Sequence, residues 1–369
     1  MVRERGNPLL RVADRYAGVP LVAAAGALKR RRPLPPEIRR IGILNATAIG
    51  DTVLLSAVAR DIAAAFPDAE TILFSSQGNL PFLETVDGLA LRPIRVSSPR
   101  DAVRALRAAR LDVVLDFDSW PRIEPVYCLL SGASFAAGFR TTGQHRHYAF
   151  DAWVDHSRHV HTIENFRRLA SVLGVASTSP PALRPTGALE PGELPPSPYV
   201  VLHMWPTGVS SGLKEWPEER WRELARRLAA AGNTVVLTGA PADAERTRSF
   251  VESAPDLREQ LVDGAGRWDL GELVDVLCGS RCVVSVNTGV MHMAAAADVP
   301  TVALNGPTSA LRWGPLGPRA ISVDSEVPGC GYLYLGWEYD GERRDCMEGI
   351  SVERVQGAVH ELIGEPLPA

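Results

Sequence analysis

The stretch RIGILNATAIGDTVLL (Arg40–Leu55) carries one carboxylate, Asp51, between an apolar run that stops at Asn45 and a new apolar period. An acid at the end of a buried strand and the start of a helix has two uses. As an N-cap it accepts hydrogen bonds from unpaired helix N–H groups and contributes about 1 kcal/mol. Within reach of a substrate hydroxyl it takes the proton as a general base. Spacing alone favours the cap, because caps are far commoner than catalytic acids. Asn45, Thr47 and Gly50 share the same turn.

Two further junctions gather polar groups where backbone N–H groups go unpaired. In VSVNTGVMHMAAAA (Val284–Ala297) a buried run ends at Val286, Asn287-Thr288-Gly289 makes a tight turn, and His292 follows on the next helix. The unpaired N–H groups and positive dipole end of that helix suit a phosphate. A lone histidine there is more often structural than functional. In LHMWPTGVSSGLKEWPEERW (Leu202–Trp221) the loop supplies Thr207, Gly208 and Lys214 ahead of a helix that opens at Pro217. It is not a Walker A loop, since Gly212 is followed by Leu213 and the lysine by Glu215. No G-x-G-x-x-G follows the first strand, which weakens a dinucleotide reading.

These junctions need strands and helices to hold them. Ile41–Leu44 reads as a strand, Thr52–Phe66 as a helix, Glu70–Phe74 as a strand, Leu91–Val96 as a strand, Pro99–Ala109 as a helix and Asp112–Phe117 as a buried strand. Ser177–Pro198 carries seven prolines and no period, the signature of a linker. The alternation then restarts with Tyr199–Trp205, a helix over Pro217–Ala231 with Trp221, Leu224 and Leu228 on one face, a strand Asn233–Leu237, a helix Leu270–Cys278 and a strand Cys282–Val286. Strands alternating with helices predict parallel sheets covered on both faces, with ligands beyond the carboxyl ends of the strands.

The chain of 369 residues is 46% apolar and carries a net charge of -4, which fits two soluble domains and gives no reason to expect nucleic acid. The charge is uneven. Residues 1–40 hold ten Lys or Arg against Glu4, Asp14 and Glu37, a net of +7 that leaves -11 for the rest. Ala17–Leu28 is too short for a bilayer span of about 20 residues, and Asp14 before it and Lys29-Arg30-Arg31-Arg32 after it weigh against a secretory signal. It reads as an interfacial helix, with Leu9, Leu10, Val12, Leu21 and Val22 facing lipid, or else as a frayed solvated arm. Cys128, Cys278, Cys282, Cys330 and Cys346 lack CxxC spacing and read as reduced thiols of a cytoplasmic protein. His145, His147, His156, His159 and His161 are dense but lack acids at ligand spacing, so a polar surface is preferred to a metal site. Asp116 and Asp118 read as sheet-end capping at least as readily as groups facing a cleft.

Taken together, IGILNATAIGDTVLLSAVARDIAAAFPDAE, LKEWPEERWRELARRL and VVSVNTGVMHMAAAADVPTVALNGPTSALRWGP resemble the family 9 glycosyltransferases, the heptosyltransferases of bacterial lipopolysaccharide core assembly and their relatives. LDVVLDFDSW and RHVHTIEN are weaker matches, and the likeness runs from Ile38 to about Ile363. The resemblance implies an α/β GT-B architecture, two facing Rossmann-like domains with a cleft between them. It implies an acceptor on the first domain, a nucleotide-sugar donor on the second, inversion at the sugar and neither metal nor cofactor. Asp51 matches the family's proposed base, Lys214 a lysine on the donor diphosphate, Thr207 and Gly208 a phosphate-contacting loop, Thr288-Gly289 the turn at the phosphates, and His292 a histidine near the sugar. The family usually has aspartate where this chain has Asn287, which leaves the sugar open.

The expected organisation is a basic arm over 1–37, an acceptor domain over 38–180, a Pro-rich linker over 181–198, a donor domain over 199–345 and a C-terminal helix and tail over 346–369. The expected function is transfer of heptose or a hexose from a nucleotide-diphosphate donor, ADP-heptose or similar, to a lipopolysaccharide-core or other lipid-linked acceptor. The expected place is the inner face of the cytoplasmic membrane, with peripheral contact to anionic lipid. A GT-B nucleotide-sugar epimerase and a non-catalytic nucleotide-sugar binding protein are the alternatives. Product formation without acceptor marks the first, and an Asp51 that only caps marks the second.

Overall fold

The computed structural model describes residues 14, 16–46, 48–208, 210–333 and 345–364. The chain divides into two compact units, Met1–Ser179 and Pro180–Ala369.

In the first unit, helix α1 (Gly18–Leu28) precedes β1 (Arg40–Leu44), α2 (Ile49–Ala65), β2 (Glu70–Ser75), α3 (Leu80–Leu83), β3 (Ala90–Pro93), α4 (Pro99–Ala108), β4 (Val113–Asp116), α5 (Ile123–Leu130), β5 (Phe135–Arg140), β6 (Ala152–Asp155) and α6 (Thr162–Ala170). The strands form a parallel sheet in the order β3-β2-β1-β4-β5-β6. β1 and β4 are nearly continuous apolar runs because both of their faces are covered. Gly42 in β1 is required by packing, since a Cβ there would lie 2.5 Å from the Leu111 side chain.

The second unit contains β7 (Tyr199–His203), α7 (Glu218–Ala230), β8 (Thr234–Thr238), α8 (Ala244–Glu252), β9 (Leu261–Asp263), α9 (Leu270–Cys278), β10 (Cys282–Val286), α10 (Gly289–Ala296), β11 (Thr301–Asn305), α11 (Ala310–Trp313), β12 (Ala320–Asp324) and α12 (Val352–Ile363). Its parallel sheet runs β9-β8-β7-β10-β11-β12, the strand order of the first unit repeated. This 3-2-1-4-5-6 arrangement is the doubly wound dinucleotide-type order. Trp221, Leu224 and Leu228 bury the expected face of α7. Trp216 meets Trp221 edge-on at 4.9 Å and donates its Nε1–H to the Ile350 carbonyl, tying the turn before α12 to the start of α7.

Most expected elements occur within a few residues of their predicted ends, and α9 and β10 match residue for residue. α5, β5, β6 and α6 are additions: IEPVYCLL, FAAGFR and AWVD follow neither period cleanly, whereas α6 buries Ile163, Phe166, Leu169 and Ala170 at helical spacing. The Pro-rich stretch is carried by the second unit. The Asp275 carboxylate accepts from the backbone N–H groups of Thr186, Gly187, Ala188 and Leu189.

The reduced-thiol reading needs correction at one pair, because Cys330 and Cys346 form a disulfide. Their separation of 16 carries no motif. What joins them is the turn after β11, where Gly331 and Leu333 donate N–H groups to the Gly306 and Pro307 carbonyls and Met347 packs on Gly306. Cys128, Cys278 and Cys282 are free thiols, and burial pushes Cys278 up to about 11 and Cys282 up to about 12.

Leu9, Leu10 and Val12 of the expected interfacial helix lie outside the described residues. Val22 faces inward instead of outward, buried against Val126 and Ala149.

Candidate functional site

Doubly wound sheets open a crevice where neighbouring strands lead their connections in opposite directions, between strands one and four of the order. In the first unit these are β1 and β4, paired from Ile41↔Val113 to Leu44↔Asp116. In the second they are β7 and β10, paired from Cys282↔Val200 to Ser285↔His203. Asp51, Thr207, Gly208, Lys214, Asn287, Thr288, Gly289 and His292 each follow β1, β7 or β10.

The turn after β1 is pinned from several sides. Asn45 donates its N–H to the Phe74 carbonyl, and Ala46 donates to the Asp118 carboxylate at 2.9 Å. The Thr52 hydroxyl lies 2.8 Å from the Asn45 Oδ1 and accepts from Asn79 Nδ2. The N-cap of α2 is Ala48, with no side-chain cap, so the capping reading of Asp51 is corrected. The helix begins at Ile49, three residues earlier than its apolar period indicated, which makes Asp51 its third residue. There it is half-buried and complements the positive helix end.

Beneath this turn lies a cluster the sequence did not reveal. Asp116, Asp118 and Glu124 bring carboxylate oxygens within 4.8 Å of one another, all buried. The buried guanidinium of Arg146 fills the place of a cation. Its Nη2 reaches Asp116 at 2.5 Å and lies 3.6 Å from Glu124, while Nη1 donates to the Asp118 carbonyl. One cation faces three acids in a desolvated site. Burial, opposed by Arg146 and helped by Asp118, raises the Asp116 carboxyl to about 7. Asp116 and Asp118 therefore do more than cap a sheet end, since Asp118 joins the cluster to the Ala46 amide of the Asp51 turn. Arg146 stands 30 residues from Asp116 in sequence, between two histidines that drew attention instead. Those histidines are dispersed. His156 packs 5.1 Å from Phe139, His147 meets Tyr148 and Trp153 at a tilt, and His161 caps α6 by accepting from Ile163 N–H.

After β7, Gly208 adopts φ +88°, a conformation that favours glycine, and Thr207 and Gly208 are exposed. Lys214 is buried, and its Nζ donates to the Thr207 carbonyl at 3.3 Å, closing the loop on itself. Behind it His203 bonds to the Thr238 hydroxyl at 2.9 Å, and burial depresses its imidazole to about 4, so it is neutral near pH 7.

After β10, Thr288 is the N-cap of α10 and lacks a side-chain cap, leaving the first N–H groups of that helix to other partners. Its hydroxyl lies 3.3 Å from that of Ser285. Gly289 opens the helix, and His292 is buried one turn in. Asn287 Nδ2 donates to Asn305 Oδ1 at 2.7 Å and to the Trp313 carbonyl at 2.8 Å. Asn305 in turn donates to Ser322, which donates to Asp324. Each link runs from donor to acceptor and ends on a carboxylate, so the chain has one consistent direction. An aspartate at 287 has no proton for either acceptor near neutral pH. The amide is thus explained by its neighbours within the fold.

The sequence profile of glycosyltransferase family 9 (heptosyltransferase) matches residues 103–330, more than half of the chain. Over 135 residues the chain is 38% identical to lipopolysaccharide heptosyltransferase 1 of Pseudomonas aeruginosa, covering 36% of each protein. Over 124 residues it is 37% identical to lipooligosaccharide heptosyltransferase 2 of Haemophilus influenzae, covering 33% of this chain and 36% of that one. The chain thus spans little more than a third of the length of the curated relatives it matches. Among solved structures it is similar to the E. coli ADP-heptose lipopolysaccharide heptosyltransferase II, with TM-score 0.71 and 21% identity over 88% of this chain and 98% of that one. An E. coli heptosyltransferase solved with ADP gives TM-score 0.67 and 22% identity over 87% and 99%. These likenesses show the fold, which is of the GT-B class.

Proposed function

The chain belongs to glycosyltransferase family 9 (heptosyltransferase), and from that premise we propose that it transfers a heptose or hexose from a nucleoside-diphosphate donor, ADP-heptose or similar, to a lipopolysaccharide-core or other lipid-linked acceptor. The observation that carries the reading is the repeated doubly wound order, with a half-buried carboxylate beside the crevice strands of one sheet and a lysine plus an uncapped helix N-terminus beside those of the other.

In this reading Asp51 takes the proton of the acceptor hydroxyl, which hardly ionises at neutral pH, as the oxygen attacks the anomeric carbon. The bond from that carbon to the diphosphate oxygen breaks as the new one forms, and the centre inverts. Negative charge grows on the departing diphosphate. Lys214, the Thr288-Gly289 turn and the N–H groups at the start of α10 stabilise it, with Thr207 and Gly208 against the phosphates and His292 towards the sugar. No metal or cofactor enters this scheme. We place the reaction at the inner face of the cytoplasmic membrane. Among the described residues no helix is long and apolar enough to cross a membrane.

The test is incubation of the purified protein with a panel of nucleotide sugars and a detergent-dispersed lipid-linked acceptor, followed by mass spectrometry. Addition of one glycosyl unit to the acceptor supports transfer. An altered sugar formed without acceptor assigns an epimerase, and tight nucleotide-sugar binding with no product assigns a binding protein.

A further inference from the structure

Helix α1 is fastened to the first unit at both ends, by a partly buried ion pair before it and a buried one after it. Asp14 accepts from Arg122 Nη1 at 2.6 Å and from the Arg122 backbone N–H at 2.7 Å. Lys29 Nζ meets the buried Asp151 carboxylate at 2.9 Å, which also accepts from Arg32 N–H. Between these clamps Gly18, Val22 and Gly26 face the protein, packed on Arg122, Val126 and Tyr148. The opposite face has no charged side chain. Pro20, Leu21, Ala23, Ala24 and Ala27 are half-exposed or exposed, and Leu21 is 41% accessible.

An amphipathic surface helix presents polar residues to water. This one presents apolar ones, and its surroundings extend the pattern. Of the five large apolar residues that are exposed among the described residues, four lie in α1 or its neighbours: Tyr16 (72%), Leu21, Leu130 (43%) and Tyr148 (39%). α1 packs on α5 and on the turn holding Tyr148, and α5 ends at Leu130. The patch is edged with arginine. Arg107 Nε donates to the Leu130 carbonyl and Arg32 Nη2 to the Ala133 carbonyl, setting two cations close to Leu130. Arg31 lies over the Trp153 ring at 4.4 Å, and Arg30 is exposed beside it. α4 and α5 enclose a groove with Val126, Tyr127 and Leu130 on one wall and Arg100, Arg104 and Arg107 on the other. Its nearby acid, Asp101, pairs with Arg104 at 3.5 Å, with both side chains more than half exposed, a weak contact that leaves the arginine available.

We propose that this face of the first unit, α1 with the arginine-walled α4–α5 groove, docks flat on an anionic phospholipid membrane, the apolar face of α1 entering the acyl boundary and the arginines meeting lipid phosphates. Charge complementarity selects this occupant. An apolar strip alone fits many partners, but a strip bordered by Arg30, Arg31, Arg32, Arg100, Arg104 and Arg107 matches an apolar layer beneath anionic headgroups. Lys29 and Arg122 are held in internal pairs and take no part, while Arg32 shares the Asp151 carboxylate at 3.8 Å with its side chain half exposed. The proposal rests on the lipid-linked acceptor of the proposed function for its purpose, though not for its test.

The experiment is co-sedimentation of the full-length protein with vesicles of phosphatidylcholine alone or with phosphatidylglycerol, at low and high salt. Binding is expected to the anionic vesicles only, and to weaken with salt. Arg100→Gln/Arg104→Gln should weaken it about 25-fold, at about fivefold per lost charge. Leu21→Ser/Leu130→Ser should weaken it independently of salt. Both variants change exposed side chains, and unchanged melting temperatures and donor binding report intact folds. Equal binding to neutral vesicles, no binding at all, or anionic binding unchanged in both variants would each overturn the proposal. Transfer to a detergent-dispersed acceptor is measured alongside. Its survival with no vesicle binding removes this surface alone, whereas its absence in a protein that binds vesicles removes the glycosyltransferase reading alone.

Discussion

The crevice strands β1 and β4 of the first unit and β7 and β10 of the second occupy the same places in the same strand order, and they are supported by opposite kinds of polar chemistry. Under the first lies a charged cluster, Asp116, Asp118 and Glu124 around Arg146. Beside the second runs a neutral donor-to-acceptor chain, Asn287 to Asn305 to Ser322, that reaches charge only at Asp324. The physical lesson concerns the field that each scaffold makes for its substrate. In the proposed reading the base stands on the unit whose turn is held by a carboxylate, through the Ala46 amide on Asp118. A buried carboxylate repels an anionic ligand, and beside β7 and β10 the fold uses an amide, a neutral His203 and Lys214.

The comparison breaks most severely at Asp51. Asp51→Asn keeps the size and removes the acceptor of the proton, so transfer should fall about 10²–10⁴-fold with folding and donor affinity unchanged. Near wild-type turnover would return Asp51 to a structural role. Next is the charged support. Arg146→Met leaves three buried acids uncompensated and should cost about 3–5 kcal/mol in urea unfolding, and a loss below about 1 kcal/mol would show that the acids relax without their cation.

The neutral support is sharpened by Asn287→Asp, which restores the family's usual residue. It removes two donated hydrogen bonds and sets a carboxylate against the Trp313 carbonyl, for an expected cost of about 1–3 kcal/mol. Unchanged stability would mean that Asn305 turns its amide to donate instead.

The last effect is one of pH. The Asp116 carboxyl is raised from 3.8 to about 7, so between those values the folded state holds a proton that the unfolded state has lost. Stability therefore falls as pH rises through that window and levels off above it. Urea midpoints taken from about pH 5 to about pH 8 should show this fall in the wild type and a shallower one in Asp116→Asn. Identical slopes would remove Asp116 as the group that titrates.

Much of the scaffold was legible before folding. β10 and α9 have the predicted ends because a continuous apolar run and an Asp269 capping box mark them locally. α5 was hidden because IEPVYCLL has no polar face, a consequence of packing against α1, α4 and β4 at once. Asp51 was found from its place between strand and helix, although the cap it suggested belongs to Ala48.

Local pattern and family motif determined, from the sequence alone, the two alternating α/β units, the membership in a glycosyltransferase family and the residues that line the strand ends. Only tertiary structure decided their support. Arg146 neutralises an acid on a strand 30 residues away, Cys330 bonds Cys346 across 16 residues, and Asn287 answers acceptors 18 and 26 residues on. Strand and helix signals depend on neighbours within one turn or one pleat, so periodicity exposes them. A buried charge or amide takes its partner from whatever chain the fold brings within hydrogen-bond distance, and no local spacing encodes that choice.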